Sequence, residues 1–293
     1  MNHKLISTPT RTAAIMKKYD IKMKKSLGQN FLVEPQILDK MIQAAEIDDK
    51  TTVIEIGPGI GALTEVLALN AKRVLAFEID QRFIEILKDT LSPYDNVEVI
   101  HQDILDVDFT SDNLAWLQEE ERLVVVANLP YYITTPIIMN LMKSRLPFER
   151  LTMMMQKEVA ERMTAKVGTK QYSSLTIAIQ NYMESDIAMI VPKTVFIPRP
   201  NVDSAVLNLT KREQPLVEVD SPDAFEELVQ TAFTQRRKTL WNNFRNAKNT
   251  WVEEYSDQEL QVALDSAGIE GSRRGETLTI DEYAELYHSL KNN

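Results

Sequence analysis

From residue 51 onward, short β-branched runs alternate with stretches of helical spacing, and that alternation narrows the fold more than any other feature. Thr52-Val53-Ile54-Glu55-Ile56 reads as a strand that ends in glycines, and Ala62–Asn70 as a helix with Leu63, Val66 and Leu67 on one face. Residues 73–77 predict a second strand, 81–91 a helix carrying Phe83, Ile84, Ile86 and Leu87, and 97–100 a third strand. Leu123-Val124-Val125-Val126-Ala127 is apolar without alternation, the pattern of a strand covered on both faces. Residues 151–155 predict a fifth strand; its Met153-Met154-Met155 run suits a buried strand better than an adaptable binding surface. A helix-like segment at 172–183 precedes strand-like runs at 187–191 and 205–209, close enough in sequence to pair antiparallel. The expectation is an α/β fold with a mostly parallel sheet and helices on both faces.

The strand signal stops near residue 213. Spacing at 225–233, 239–244, 258–267 and 281–290 is helical. A boundary is expected near 212, between Thr210-Lys211-Arg212 and the turn at Pro215. This gives a basic N-terminal extension (1–24), an α/β domain (25–212) and a small all-helical C-terminal domain (213–293). A chain of 293 residues buries a core without cross-links.

Composition removes several chemistries. There is no cysteine, which excludes disulfides, thiolate metal sites and cysteine nucleophiles. His3, His101 and His288 lie far apart, so neither a zinc site nor a Ser–His triad is expected. No apolar run approaches the ~20 residues of a membrane helix, and the N-terminal lysines have no apolar stretch behind them. No membrane association is expected, and the default location is the cytoplasm. The net charge of −10 argues, in bulk, against a nucleic-acid binder. Its distribution differs: Lys4, Arg11, Lys17, Lys18, Lys22, Lys24 and Lys25 face a lone Asp20 in residues 1–30, and Arg236, Arg237, Lys238, Arg245 and Lys248 occupy 234–250 without an acid. Either island could hold a polyanion, although charge alone favours solvated termini and helix faces.

The first motif is Glu55-Ile56-Gly57-Pro58-Gly59-Ile60-Gly61. Glycines at a strand-to-helix turn bring a ligand close to backbone N–H groups. Their spacing does not fit the dinucleotide pattern, and Glu55 would repel a pyrophosphate. An acidic lead residue suits a ligand with an ammonium group and no phosphate, and S-adenosylmethionine has both properties. A plain turn is the competing reading. Glu78 ends the second strand 17 residues past Gly61, where a carboxylate can accept both ribose hydroxyls; a surface glutamate is the alternative. Asp103, after the third strand, can accept the exocyclic amine of the cofactor's adenine, or can serve as a turn or helix-cap aspartate. His101 reads as an ordinary strand residue.

Asn128-Leu129-Pro130-Tyr131 follows the buried fourth strand and is the sharpest signal. The exocyclic nitrogen of adenine is a poor nucleophile because its lone pair is delocalised into the ring. The Asn128 side-chain carbonyl and the Leu129 backbone carbonyl can bind its two hydrogens and expose the lone pair. Pro130 fixes the backbone so that these acceptors are aimed in advance, and Tyr131 offers a stacking face. No strong general base is required.

With these motifs in place the sequence closely resembles the ribosomal small-subunit RNA adenine N6,N6-dimethyltransferase family, the kasugamycin-sensitivity methyltransferases, from about residue 22 to 290. The marks are Lys25-Ser26-Leu27-Gly28-Gln29-Asn30-Phe31-Leu32, the Glu55 to Gly61 loop, Asn128 to Tyr131, Gln156-Lys157-Glu158-Val159-Ala160, and Phe196-Ile197-Pro198-Arg199-Pro200-Asn201-Val202-Asp203-Ser204. The resemblance implies a Rossmann-like class I methyltransferase sheet, mostly parallel with an antiparallel last strand. It implies that Asn30 and Leu32 line the cofactor pocket with Gly57, Glu78, Asp103 and Asn128, and that Phe196 stacks on the target adenine opposite Tyr131. Unaided, Phe196 reads as core and Gln29-Asn30 as a turn. For Arg236, Arg237 and Lys238, a solvated helix face and an RNA phosphate contact then stand even.

The implied activity is S-adenosylmethionine-dependent dimethylation of two adjacent adenines in a hairpin loop near the 3′ end of 16S rRNA, within the 30S subunit or its precursor, by a monomer without a metal. Two alternatives stand beside it. One is a large-subunit rRNA methyltransferase of the macrolide-resistance type; the Phe196 to Ser204 segment and the helical tail favour the small subunit. The other is a ribosome-assembly factor whose catalysis is incidental.

Overall fold

The computed structural model of the chain describes residues 5–21, 30–128 and 133–292. It divides into two compact units, residues 1–160 with 186–210 and residues 161–185 with 211–293.

The first unit is built on β1 (Thr52–Ile56), β2 (Arg73–Glu78), β3 (Val97–His101), β4 (Leu123–Asn128), β5 (Arg150–Gln156), β6 (Met183–Val191) and β7 (Ser204–Lys211). They form one sheet in the order β3-β2-β1-β4-β5-β7-β6. Pairing is parallel from β3 through β5, and β7 runs antiparallel to β5. The mostly parallel sheet with an antiparallel last strand is thus the expected one. Every residue of β1 is buried, as are Leu123 to Ala127 and all three methionines of β5. Such strands need cover on both faces, which explains the unbroken apolar run from Leu123 to Ala127. On one face Val53, Val74, Val124, Val126 and Met154 pack with Leu38 and Met41 of α2 (Pro35–Ala44) and with Leu63, Val66 and Leu67 of α3 (Ala62–Asn70).

The segment expected as a basic extension forms α1 (Pro9–Lys18) and belongs to this unit, with Ile6, Thr12 and Ile15 buried. α4 (Gln81–Thr90) follows β2, with its N-cap Asp80 accepting the Arg82 amide. α5 (Thr134–Lys143) leads from β4 toward β5, and α6 (Lys157–Met163) follows β5.

The second unit is helical. It takes in α7 (Ser174–Tyr182). Its core joins Phe225, Leu228 and Val229 of α8 (Pro222–Ala232), Leu240 and Phe244 of α9 (Leu240–Arg245), Leu260 and Leu264 of α10 (Asp257–Ser266) and Tyr283, Leu286 and Tyr287 of α11 (Ile280–Lys291). Ser256 with Glu259, and Thr279 with Glu282, form reciprocal capping pairs that start α10 and α11. The single cut expected near 212 separates α7 from these helices, yet Tyr172 and Ile177 are buried in the same core. The difference is tertiary: an apolar face does not state in sequence which neighbour covers it.

Candidate active site

The direction of winding reverses between β1 and β4, and in such sheets ligands sit at the carboxyl ends of the strands there. Ile56 and Ala127 are register partners, so Gly57 and Asn128 follow side by side at that end. Gly57 is tied down by its amide, which donates to Phe77 O at 2.9 Å. Gly61 caps α3 with φ of 90°, and a Cβ there would meet side-chain atoms of Leu91, Thr90 and Leu87 at 3.1–3.3 Å. Glycine is required at 61 both by its backbone and by this close approach.

The loop and the end of β2 are joined directly. Glu78 Oε2 accepts the Gly59 amide at 3.0 Å, and Oε1 accepts the Asp80 amide at 2.8 Å. Burial pushes the Glu78 carboxyl up, and the two amides pull it back. Glu78 is buried, so the surface-glutamate reading does not hold. Glu55 is fully buried in β1; desolvation moves it to about 8, with the Thr64 hydroxyl opposing and the Glu78 charge adding. Its Oε2 has no hydrogen-bond partner among the described residues.

Asp103 caps the short turn Ile104–Asp106 by accepting the Leu105 amide at 3.0 Å. It also lines the cavity. His101 Nε2 lies 3.2 Å from Ile79 O, a strand-end contact.

The N-terminal motif and the Phe196 motif meet in a two-residue antiparallel ribbon, with Phe31 opposite Ile197 and Leu32 opposite Phe196. The Val33 amide extends it by donating to Val195 O at 2.9 Å. Phe196 is 4% exposed and packed in the apolar cluster of β1 and α3, and it also borders the cavity.

These elements enclose one cavity. Asn30, Leu32, Gly57, Glu78, Asp103, Asn128 and Phe196 all line it. Its volume is about 170 Å³, against roughly 10–15 Å³ for the space one water needs. Leu129, Pro130 and Tyr131 lie outside the described residues. Sequence reasoning misses Phe31, Asp80, Phe83, Gln102 and Ile104, which also line the cavity. Phe31, Gln102 and Ile104 flank motif residues and are legible as neighbours; Phe83 reads only as an apolar helix position. No carboxylate or histidine cluster among the described residues could hold a metal ion, and no helix among them is long and apolar enough to cross a membrane.

Arg236, Arg237 and Lys238 are not on a helix face. They are exposed in the turn between α8 and α9. Asn243 holds that turn from inside: its Nδ2 donates to Ala232 O at 2.7 Å and its Oδ1 accepts the Gln235 amide at 3.2 Å. Arg236 donates to Lys170 O, and Arg245 of the same basic island pairs with Asp257 at 3.1 Å.

Residues 20–290 match the family described as Ribosomal RNA adenine dimethylase. The chain is 53% identical over 291 residues to Ribosomal RNA small subunit methyltransferase A of Staphylococcus epidermidis, covering 99% of this chain and 98% of that protein. It is 54% identical over 288 residues to the protein of the same name from Anoxybacillus flavithermus, covering 98% and 97%. Among solved structures, a dimethyladenosine transferase from Plasmodium falciparum superposes with a TM-score of 0.72 at 28% identity, over 89% of this chain and 97% of that one. The 23S rRNA methyltransferase ErmE gives 0.66 at 28%, over 89% and 99%. With a match across almost the whole sequence and Asn30, Leu32, Gly57, Asn128 and Phe196 of its motifs lining one cavity, the chain belongs to the ribosomal RNA small-subunit adenine dimethyltransferase family and is an S-adenosylmethionine-dependent methyltransferase.

Proposed function

We propose that the chain dimethylates the N6 amine of two adjacent adenines in a hairpin loop near the 3′ end of 16S rRNA, acting on the 30S subunit or its precursor in the cytoplasm, as a monomer, and so contributes to 30S biogenesis. The observation that supports the reading is the position of Asn128, the first residue of the amine-binding motif, beside Gly57 of the glycine loop.

The cavity fits the cofactor. The buried Oε2 of Glu55, which has no hydrogen-bond partner among the described residues, suits the ammonium of the methionyl portion. Glu78 takes the ribose hydroxyls, because each carboxylate oxygen accepts more than the one amide it now holds. Asp103 takes the adenine amine, and Asn30 and Leu32 close the wall. S-adenosylmethionine, when bound, supplies a methyl group on a positively charged sulfur.

The chain's own work is to prepare the acceptor. The carbonyls of Asn128 and Leu129 hold the two amine hydrogens and leave the lone pair aimed at the methyl group, while Tyr131 and Phe196 bracket the base. Each transfer releases one proton to solvent. The monomethylated amine keeps one hydrogen, so one acceptor still orients it for the second transfer. Loop adenines are largely unpaired, which lowers the cost of presenting the base. The exposed turn at Arg236, Arg237 and Lys238 is read as a phosphate-binding element.

Similarity to ErmE keeps a large-subunit target in view, while the identity with small-subunit relatives favours 16S rRNA. Primer extension on both RNAs from a deletion strain separates them. The expected result is loss of the modification stop in 16S rRNA alone; loss in 23S rRNA alone contradicts the proposal.

A further inference from the structure

Glu65, in the first turn of α3, is 1% exposed. Its Oε2 accepts the Ile6 backbone amide. Its Oε1 accepts the Arg11 guanidinium at 3.1 Å and the Tyr94 hydroxyl at 2.9 Å. The Thr12 hydroxyl donates to Ile6 O at 2.7 Å, so the approach to α1 and the helix itself are tied to the same point. At the far end of α1, Lys18 and Tyr19 both donate to Asp89 Oδ2 at 2.6 Å. Arg11 and Lys18, two of the cations that make this segment basic, are therefore paired with acids of the fold.

The apolar side of the same segment reaches the site. Ile6 and Ile15 share a buried cluster with Phe31, Ile60 and Phe83. Those three residues line the cavity, and Phe31 stands edge-on to Phe83 with ring centroids 6.0 Å apart. The acidic residue of α3 and the isoleucines around α1 thus fasten the N-terminal segment against the outer side of the cavity wall.

We infer that the N-terminal helix is a strap that backs the cofactor wall, fastened by Glu65 and Arg11 as positioning residues, and is not an RNA-binding arm. The inference rests on the cavity being the cofactor site. A carboxylate this deeply buried stays in place only while its donors remain. Without Arg11 the strap loosens, Ile6 and Ile15 withdraw, and Phe31, Ile60 and Phe83 lose their backing. An RNA arm behaves differently: each phosphate interaction removed lowers the slope of log K against log salt by about 0.9, with cofactor affinity unchanged.

The test uses the full chain. Titration calorimetry with S-adenosylhomocysteine measures the cofactor site in wild type, Arg11→Ala, Arg11→Lys and Lys17→Ala, and the salt dependence of binding to unmethylated 30S particles is measured in parallel. Arg11→Ala is expected to weaken S-adenosylhomocysteine about tenfold, Arg11→Lys to recover most of that loss, and the exposed Lys17→Ala to leave it unchanged. The salt slope stays at the wild-type value in all of them. If thermal melting shows Arg11→Ala unfolded, Glu65→Gln replaces it: the amide keeps the shape, loses the charge, and is expected to weaken the ligand at least threefold. A folded Arg11→Ala protein that binds within twofold of wild type overturns the strap. So does a salt slope lowered by about one unit with cofactor affinity intact. Failure of the wild type itself to bind overturns the site and the strap together.

Discussion

Leu32 and Phe196 are register partners in a two-residue ribbon that joins the N-terminal motif to the phenylalanine–proline motif. The ribbon sets a residue of the proposed cofactor wall directly beside the ring proposed to stack on the target base. Leu32 is 2% exposed and Phe196 4%, so the pair is packed from both sides and the ring's position is fixed by the core. In sequence Phe196 is open to two readings, core and stacking platform. Its burial establishes the first, and its place on the cavity border is where the second can operate.

Phe196→Leu separates these roles. Leucine fills most of the core volume, and the stability loss in urea is expected to stay below about 1.5 kcal/mol. Stacking of a base on an aromatic ring contributes about 1–3 kcal/mol, so methylation turnover should fall about 5- to 150-fold. Unchanged turnover in a folded Phe196→Leu protein removes the ring from the mechanism.

Asn128→Ala removes one of the two acceptors while leaving the end of β4 in place. Removing a donor or acceptor matched to the transition state typically costs about 10²–10³ in rate. Binding to 30S particles should persist with methylation reduced on that scale. The same variant addresses the assembly-factor alternative, because it divides binding from catalysis. Wild-type methylation by Asn128→Ala eliminates the amine-holding role.

Glu55 predicts a pH dependence. Its folded carboxyl titrates near 8, above the usual 4.5, because burial disfavours the charged form. Between those values the folded state holds a proton that the unfolded state has lost, so this group's contribution to stability falls as pH rises from about 4.5 to 8. An ammonium ligand engages the ionised form. Cofactor binding at pH 7 should therefore release up to one proton, and affinity should rise with pH until about 8. Calorimetry at pH 7 in buffers of different ionisation enthalpy reads the proton count. Glu55→Gln is expected to abolish the proton release, weaken the cofactor and raise Tm more at pH 8 than at pH 5.

Much of this architecture is legible in the sequence, for a physical reason. The apolar run Leu123 to Ala127 announces β4, while β1, which carries the buried Glu55, is announced by its β-branched residues and the glycines that follow it, and the residues at the strand ends are set by register. Gly57 and Asn128 are recognisable on those terms. Thr134-Thr135-Pro136 at the start of α5 gives a β-branched, proline-containing run with no helix signal, and the helix exists because Ile137, Ile138 and Leu141 are buried. The place of α7 among the C-terminal helices depends on partners far along the chain. Glu65 is equally silent: an acid in a first helical turn is ordinary, and its Arg11, Ile6 and Tyr94 partners appear only in three dimensions. The basic cluster at 236–238 is legible as charge but not as a turn, because Asn243 reaches back from α9 to shape it.

That turn gives a further prediction. Replacing Arg236, Arg237 and Lys238 with Ala should weaken 30S binding and lower the slope of log K against log salt by about one unit for each phosphate no longer neutralised. S-adenosylhomocysteine affinity should be unaltered. A triple variant with wild-type salt dependence shows that the turn does not touch RNA phosphates.

The central claim is that the carbonyls of Asn128, at the end of β4, and of Leu129 hold an adenine amine beside the cofactor bound at the glycine loop. Incubating the protein with unmethylated 30S particles and methyl-labelled S-adenosylmethionine, then mapping the modified nucleotides, tests it most directly. The account predicts four labelled methyl groups per particle, two on the N6 of each of two adjacent loop adenines near the 3′ end of 16S rRNA. Label on a ring nitrogen, a ribose oxygen or a base other than adenine would contradict it.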